Sequence, residues 1–134
     1  MTVVEDELAV RNLIARFAEA TDIGSMDEYM ACIADDATMD INDGLMIRTG
    51  AAEIRDAMAA SRSAGWFGPD THTMHVLGPS RVRVDGDTAT AWTTFQFFRD
   101  IADTKELVAL GRHVETFART NGEWRLVRRV TRAG

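Results

Sequence analysis

Apolar residues recur at helical spacing near the start of the chain. Val10, Leu13, Ile14, Phe17 and Ala18 share one side of residues 5 to 22, with Arg11, Asn12, Arg16 and Glu19 opposite, which predicts an amphipathic helix. Gly24 stops it, and Ser25 with Glu28 makes a capping-box signature for a second helix carrying Met26, Tyr29, Met30 and Ile33. A third helix is expected from Gly50 to about Ser61, with Ile54 and Met58 inward and Glu53 in its first turn, where a carboxylate suits the helix dipole. Between the second and third helices, Ala37–Ile47 reads as a short hairpin turning at Asp43-Gly44.

After residue 70 the period shortens. Thr71–Val84, Thr88–Arg99, Glu106–Arg119 and Glu123–Thr131 are rich in Val, Thr, Phe and Trp and read as strands. Asp85-Gly86 and Asn121-Gly122 both suit type I′ turns, and Asp100–Lys105 is a looser polar loop, so the four strands form an antiparallel meander. Gly78-Pro79 inside the first long strand marks a bulge or bend, because proline cannot donate to the ladder. Helices followed by strands predict an α+β fold. The geometry expected is a strongly curved sheet wrapped around the three helices from the N-terminal half, leaving a cavity. The aromatics Trp66, Phe67, Trp92, Phe95, Phe97, Phe98, Phe117 and Trp124 either line that cavity or fill the core.

Composition narrows the partners. A chain of 134 residues with 46% hydrophobic content fits one domain over residues 1–134, and roughly two thirds of the unfolded surface is buried at this size, so no staple is needed. The single cysteine, Cys32, can form no internal disulfide and fits a reducing cytoplasm. The N-terminal MTVVEDELAV is acidic where a signal peptide is basic, and no apolar run approaches the ~20 residues of a membrane span. A net charge of −6 argues against nucleic-acid binding. The only dense basic segment holds Arg125, Arg128, Arg129 and Arg132; on a regular strand 125 and 129 face one way and 128 and 132 the other, so no basic stripe forms.

Few residues can carry chemistry. His72, His75 and His113 are the only histidines, all in predicted strands; His72 and His75 face opposite sides of a regular strand and cannot share a metal. His75 precedes the Gly78-Pro79 bulge, where strands re-aim side chains. Asp22 lies roughly 110° from the centre of the first helix's apolar stripe, so periodicity alone leaves it a solvated or capping carboxylate. A carboxylate that orients a histidine makes a general base, and Asp22 could reach His75 only if the sheet folds onto the end of the first helix. No G-x-S-x-G, P-loop, dinucleotide-binding glycine pattern or HExxH is present, which argues against serine hydrolase, phosphoryl-transfer and nicotinamide chemistry.

Taken in order, Arg11-Asn12-Leu13-Ile14 through Thr21-Asp22, Met26–Ala37, Gly50–Met58, Thr73-Met74-His75 with Asp85-Gly86-Asp87, Gly111-Arg112-His113 and Gly122-Glu123-Trp124-Arg125 resemble the SnoaL-like family of the nuclear transport factor 2-like superfamily, near scytalone dehydratase and hexachlorocyclohexane dehydrochlorinase. The resemblance implies an α+β cone whose mixed or antiparallel sheet and helices enclose an apolar pocket, a dimer or trimer, and an Asp22–His75 pair in which the histidine takes a proton from carbon without any cofactor. The products would be those of elimination or isomerisation. His113 stands where relatives place a polar pocket residue, which suits a hydrogen-bond donor, a second acid, or simple packing at the pocket edge. Scytalone dehydratase has a tyrosine before its helix-one aspartate; here that position is Thr21, and Tyr29 is the only tyrosine. The Asp-Arg-Asp set of the epoxide hydrolase branch has no counterpart, since Arg99-Asp100 lies at a strand end. The resemblance therefore implies a lyase or isomerase for a small, largely apolar carbonyl or hydroxyl compound, alongside polyketide cyclase, epoxide hydrolase and non-catalytic binding or oxygenase-supporting alternatives.

Overall fold

The computed structural model describes residues 2–134. Helix α1 (Val3–Ile23) is followed by α2 (Met26–Met30), strands β1 (Ile33–Ile41) and β2 (Met46–Thr49), helix α3 (Ala51–Ser63), and strands β3 (Met74–Asp85), β4 (Thr88–Arg99), β5 (Glu106–Thr120) and β6 (Glu123–Ala133). The strands form one six-stranded sheet in the order β2-β1-β6-β5-β4-β3. Four neighbouring pairs are antiparallel; β1 runs parallel to β6, so the sheet is mixed.

Local chemistry sets the element ends. Thr2 and Glu5 make a reciprocal capping box on α1, as do Ser25 and Glu28 on α2. At Gly24 an added Cβ would lie 2.7 Å from Ala20 Cα, so only glycine turns the chain away so sharply there. Helix α2 is a single short stretch: Ile33, expected on its stripe, instead opens β1 and pairs with Leu126 of β6. The Asn121-Gly122 turn has both central residues at positive φ, as a type I′ turn requires. The other tight turn falls one residue later than expected. Asp85 pairs with Thr88, leaving Gly86-Asp87 as the central residues with positive φ at Gly86 only, the pattern of a type II′ turn.

Helices α1 and α3 lie against the inner face of the sheet. Val10, Leu13 and Phe17 of α1 meet Phe117 and Leu126 of β5 and β6 in one buried cluster, with Ile54 and Met58 of α3 closing another side. Helix α1 is tied at three levels. Asp6 near its start accepts from Arg119 of β5 and from Trp124 of β6; Arg11 donates to Ser80 O of β3 at 2.6 Å; and Asp22 at its end reaches His75.

Three bulges re-phase the antiparallel pairs, and the parallel β1–β6 pair has a register break of its own between Ile33 and Thr38. The first falls at Gly78-Pro79, where Leu77 pairs with Phe95 but Ser80 with Thr93, so one extra residue sits on β3. The second puts an extra residue between Leu107 and Ala109 of β5, opposite adjacent Phe98 and Phe97. In the third, Leu126 pairs with Phe117 and Arg128 with Thr116, leaving Val127 unpaired. That last bulge reverses the expectation for the arginines: Trp124 and Leu126 face inward before it and Arg129 and Thr131 line the cavity after it, so exposed Arg125 and inward Arg129 do not share a face. Strand β3 also begins later than the pattern predicts, at Met74, because His72 takes a left-handed conformation, φ 55°, in the turn that precedes it.

Gly111 permits the close approach of β5 and β6 beside the site. A Cβ there would lie 2.4 Å from Arg132 O and 2.8 Å from the Phe95 ring. Gly111→Ala is therefore expected to lower the unfolding free energy by about 1–3 kcal/mol, as overpacking against backbone does, measured by urea denaturation; an unchanged midpoint would show that the strands part freely.

Candidate functional site

Asp22 occupies the last turn of α1, two residues before Gly24. Its helical position put it at the flank of the apolar stripe, yet only 7% of it is exposed. Burial comes from tertiary packing: β3 runs along that flank of α1, held by the Arg11 bond to Ser80 O. The carboxylate receives two bonds from one residue, the His75 backbone N–H at 2.8 Å on Oδ2 and the ring Nδ1 at 2.7 Å on Oδ1. A carboxylate can only accept, so Nδ1 carries the hydrogen and the lone pair of neutral His75 resides on Nε2. That nitrogen has no protein partner among the described residues, and the ring lines a cavity. Phe97 and Phe67 pack the imidazole at centroid distances of 4.6 and 5.5 Å.

The cavity holds about 350 Å³, the lower part of the range typical of small-molecule sites. Its wall is largely apolar, with Met39, Ile54, Met58, Phe67, Phe95 and Phe97 prominent. The predicted aromatics therefore divide: Phe67, Phe95 and Phe97 line the cavity, Phe117 and Trp124 fill the core, Trp66 is exposed, and Trp92 stacks under the Arg81 guanidinium at 3.8 Å.

His113 of β5 lines the same cavity, stacked on Phe95 at 4.3 Å with planes 6° apart, and its Nδ1 lies 2.9 Å from Thr131 Oγ1. Burial above all, then the charge of Arg129 and the proximity of His75, hold its pKa far below the usual histidine value. These surroundings favour the neutral imidazole, which can donate a hydrogen bond into the cavity. His72 is exposed in the turn before β3 and does not reach the cavity.

Three polar residues at the site carried no functional signal in the sequence. Arg129 faces inward because of the Val127 bulge; its Nε and Nη2 donate to Glu115 Oε2 at 3.0 and 2.7 Å, and its guanidinium lies 4.6 Å over the Phe17 ring. Glu115 is only 1% exposed, which makes this a buried ion pair. Tyr29 sits at an apolar-stripe position that reads as core, and burial, partly offset by Arg129 and Arg62, pushes its phenol up to about 12, so it remains a neutral hydroxyl. Arg48 of β2 lines the β1–β2 side of the cavity. A mid-strand bulge has no composition signature comparable with Asn-Gly at a turn, so Arg129 could not be oriented from spacing. Among the described residues, no three His, Cys, Asp or Glu side chains come together as metal ligands. No described helix is long and apolar enough to cross a membrane.

A SnoaL-like domain model matches residues 2–130, and the chain belongs to that family. A nuclear transport factor 2-like protein with a cystatin-like fold from Novosphingobium aromaticivorans is 30% identical, with a TM-score of 0.81 over 97% of this chain and 82% of the other. The same organism supplies two more distant matches. A protein called a scytalone dehydratase is 14% identical, TM-score 0.81, over 98% of this chain and 85% of that one. A protein called the beta subunit of an aromatic-ring-hydroxylating dioxygenase is 19% identical, TM-score 0.78, over 96% and 89%. At those identities the two likenesses establish the nuclear transport factor 2-like fold. No curated protein matches the chain.

Neutral burial of His113 has a consequence for stability. Because its folded pKa is depressed, the unfolded chain binds the proton first as pH falls, so this contribution is complete above about pH 6.5 and is lost below it, on the order of 1 kcal/mol per pH unit. His113→Gln, which retains a partner for Thr131, is expected to flatten the fall in unfolding free energy between roughly pH 6.5 and 4.5, followed by urea titrations at each pH. Equal slopes in the two proteins would mean that His113 is not held neutral.

Proposed function

We propose that this SnoaL-like protein is a cofactor-independent lyase of the dehydratase type, or an isomerase, acting on a small, largely apolar carbonyl or hydroxyl compound. One observation carries the reading: the Asp22 carboxylate fixes the ring of His75 at 2.7 Å so that the basic nitrogen is left for an apolar cavity. Nε2 of His75 takes a proton from carbon adjacent to a carbonyl, and Asp22 stabilises the imidazolium that forms. The electron pair left on carbon becomes a double bond as a hydroxyl group departs. The imidazolium returns its proton to that hydroxyl, releasing water and regenerating the base. In the isomerase variant no group departs, and the same proton goes back at a different carbon.

Charge developing on the substrate oxygen needs donors that do not themselves titrate. His113, whose pKa is lowered, and the hydroxyl of Tyr29, whose pKa is raised, line the cavity and meet that condition, and the guanidinium of Arg129 adds further N–H donors to the same wall. The apolar wall favours a compact, alicyclic or aromatic body. The reading extends to self-association as a dimer or trimer, supported by an outer sheet face that exposes Met74, Val76, Leu107, Val108 and Leu110.

The reaction is tested by incubating the protein with a panel of β-hydroxy ketones in deuterium oxide and following both loss of water and deuterium incorporation at carbon by NMR. His75→Ala is expected to lower turnover by about 10³-fold or more and Asp22→Asn by about 10²-fold, with the native fold retained. Near-native turnover in His75→Ala would rule the mechanism out. Self-association is tested by sedimentation at micromolar concentration, where a monomer would contradict it.

A further inference from the structure

The sheet register puts two arginines in one cross-strand row. Met39 of β1 pairs with Arg48 of β2 on one side and with Arg129 of β6 on the other, and the row continues from Arg129 to Glu115 of β5. Arg48, Met39 and Arg129 all line the cavity. Strands lie about 4.8 Å apart, so the Arg48 and Arg129 backbones are separated by roughly 10 Å. Their surroundings differ. Arg129 has Glu115 as a counter-ion, and the other buried carboxylate of the site, Asp22, is taken by His75. Arg48 has no carboxylate within ion-pair distance among the described residues; its only hydrogen bond runs from Nη1 to the carbonyl of adjacent Ile47 at 3.2 Å. The chain carries 21 acidic residues against 15 basic ones, yet this partly exposed guanidinium on a largely apolar wall is left free to pair with an anion that a ligand supplies.

We infer that Arg48 is a specificity-determining residue and that the substrate carries an anionic group, a carboxylate or sulfonate, seated on its guanidinium. The planar fork of Arg48 receives the anion at the β1–β2 side of the cavity, the apolar body lies across Met39, and the reacting carbon reaches toward His75. This rests on the general-base reading for the reaction, but the selection of an anion does not require turnover.

The experiment uses two dyes with one carbon skeleton, anionic 8-anilinonaphthalene-1-sulfonate and neutral N-phenyl-1-naphthylamine, titrated by fluorescence against the intact chain. The anion is expected to bind about tenfold tighter than the neutral dye, as one charge-assisted hydrogen-bond pair provides. Arg48→Met should abolish that preference, so that the anion binds no tighter than the neutral dye, and Arg48→Lys should keep part of it. Ala109→Trp, which fills the cavity from β5, should eliminate both signals. No preference in the native protein, a preference that survives Arg48→Met, or an anion signal that survives Ala109→Trp would each overturn the inference. His75→Ala should retain the preference, so failure of the reaction and failure of anion selection are read separately.

Discussion

The site depends on one carboxylate that binds the same residue twice. Asp22 accepts from the backbone N–H and from the ring of His75, two contacts spanning 53 positions of sequence. The backbone contact fixes where β3 starts relative to the end of α1, and the ring contact fixes the imidazole's tautomer and direction. Neither could form if α1 ran on past Gly24 or if the chain entered β3 in regular extended conformation from residue 71. The Arg11 bond to Ser80 O repeats the same clamp higher on α1, using a carbonyl just after the Gly78-Pro79 bulge. Helix and strand are thus registered at two points, which is why a flank position of an amphipathic helix ends buried.

Much of this architecture was legible in residue patterns. The stripe of α1, the stop at Gly24, the first turn of α3 and the Asn121-Gly122 turn rest on local rules, and those rules operate within a few residues. The bulge at Gly78-Pro79 was legible for the same reason, since proline forfeits a ladder bond wherever it stands. What escaped was non-local. Ile33 continues a helical stripe in sequence, but Leu126 of β6 offers it a parallel strand partner. Val127 carries no mark of a bulge; it is expelled from the ladder by the register of β5, and every side chain after it changes face. The pairing of Asp22 with His75 came from family resemblance, because helix geometry alone left the carboxylate in solvent. His113 was identifiable as a pocket residue by the same resemblance, whereas its neutrality follows only from burial beside a cation.

Electrostatics inside the cavity follow from how few charges it holds and how they are matched. Glu115 is almost wholly enclosed and gives one oxygen to Arg129, while its Oε1 has no hydrogen-bond partner among the described residues. Such a pair contributes little net stability, since desolvation offsets most of the attraction. Its effect is on the neighbours: it anchors a guanidinium on the Phe17 face at a fixed place, and that fixed positive charge helps to keep His113 unprotonated and lowers the cost of charge on any nearby oxygen. His75 is differently placed, with a carboxylate directly on Nδ1. Two histidines in one cavity are thereby given different surroundings, one oriented by a carboxylate on its ring and the other buried beside a cation that holds its pKa down.

The curvature of the sheet distributes these roles between two walls. His75 and His113, with Phe95 and Phe97, belong to β3, β4 and β5; Arg48, Met39 and Arg129 belong to β2, β1 and β6. The second wall exists because β1 joins β6 in parallel, a pairing that needs a long connection rather than a tight turn, and β2, α3 and the strands β3 to β5 lie within that connection. An antiparallel meander alone would carry the base but end at the exposed edge of β6, with nothing opposite it. Adding β1 and β2 extends the curved surface far enough to enclose a ligand and puts arginines where the first wall has imidazoles. On the proposed reading, proton transfer and ligand orientation fall to different strands, so a change in β2 would alter what binds without disturbing the Asp22–His75 geometry.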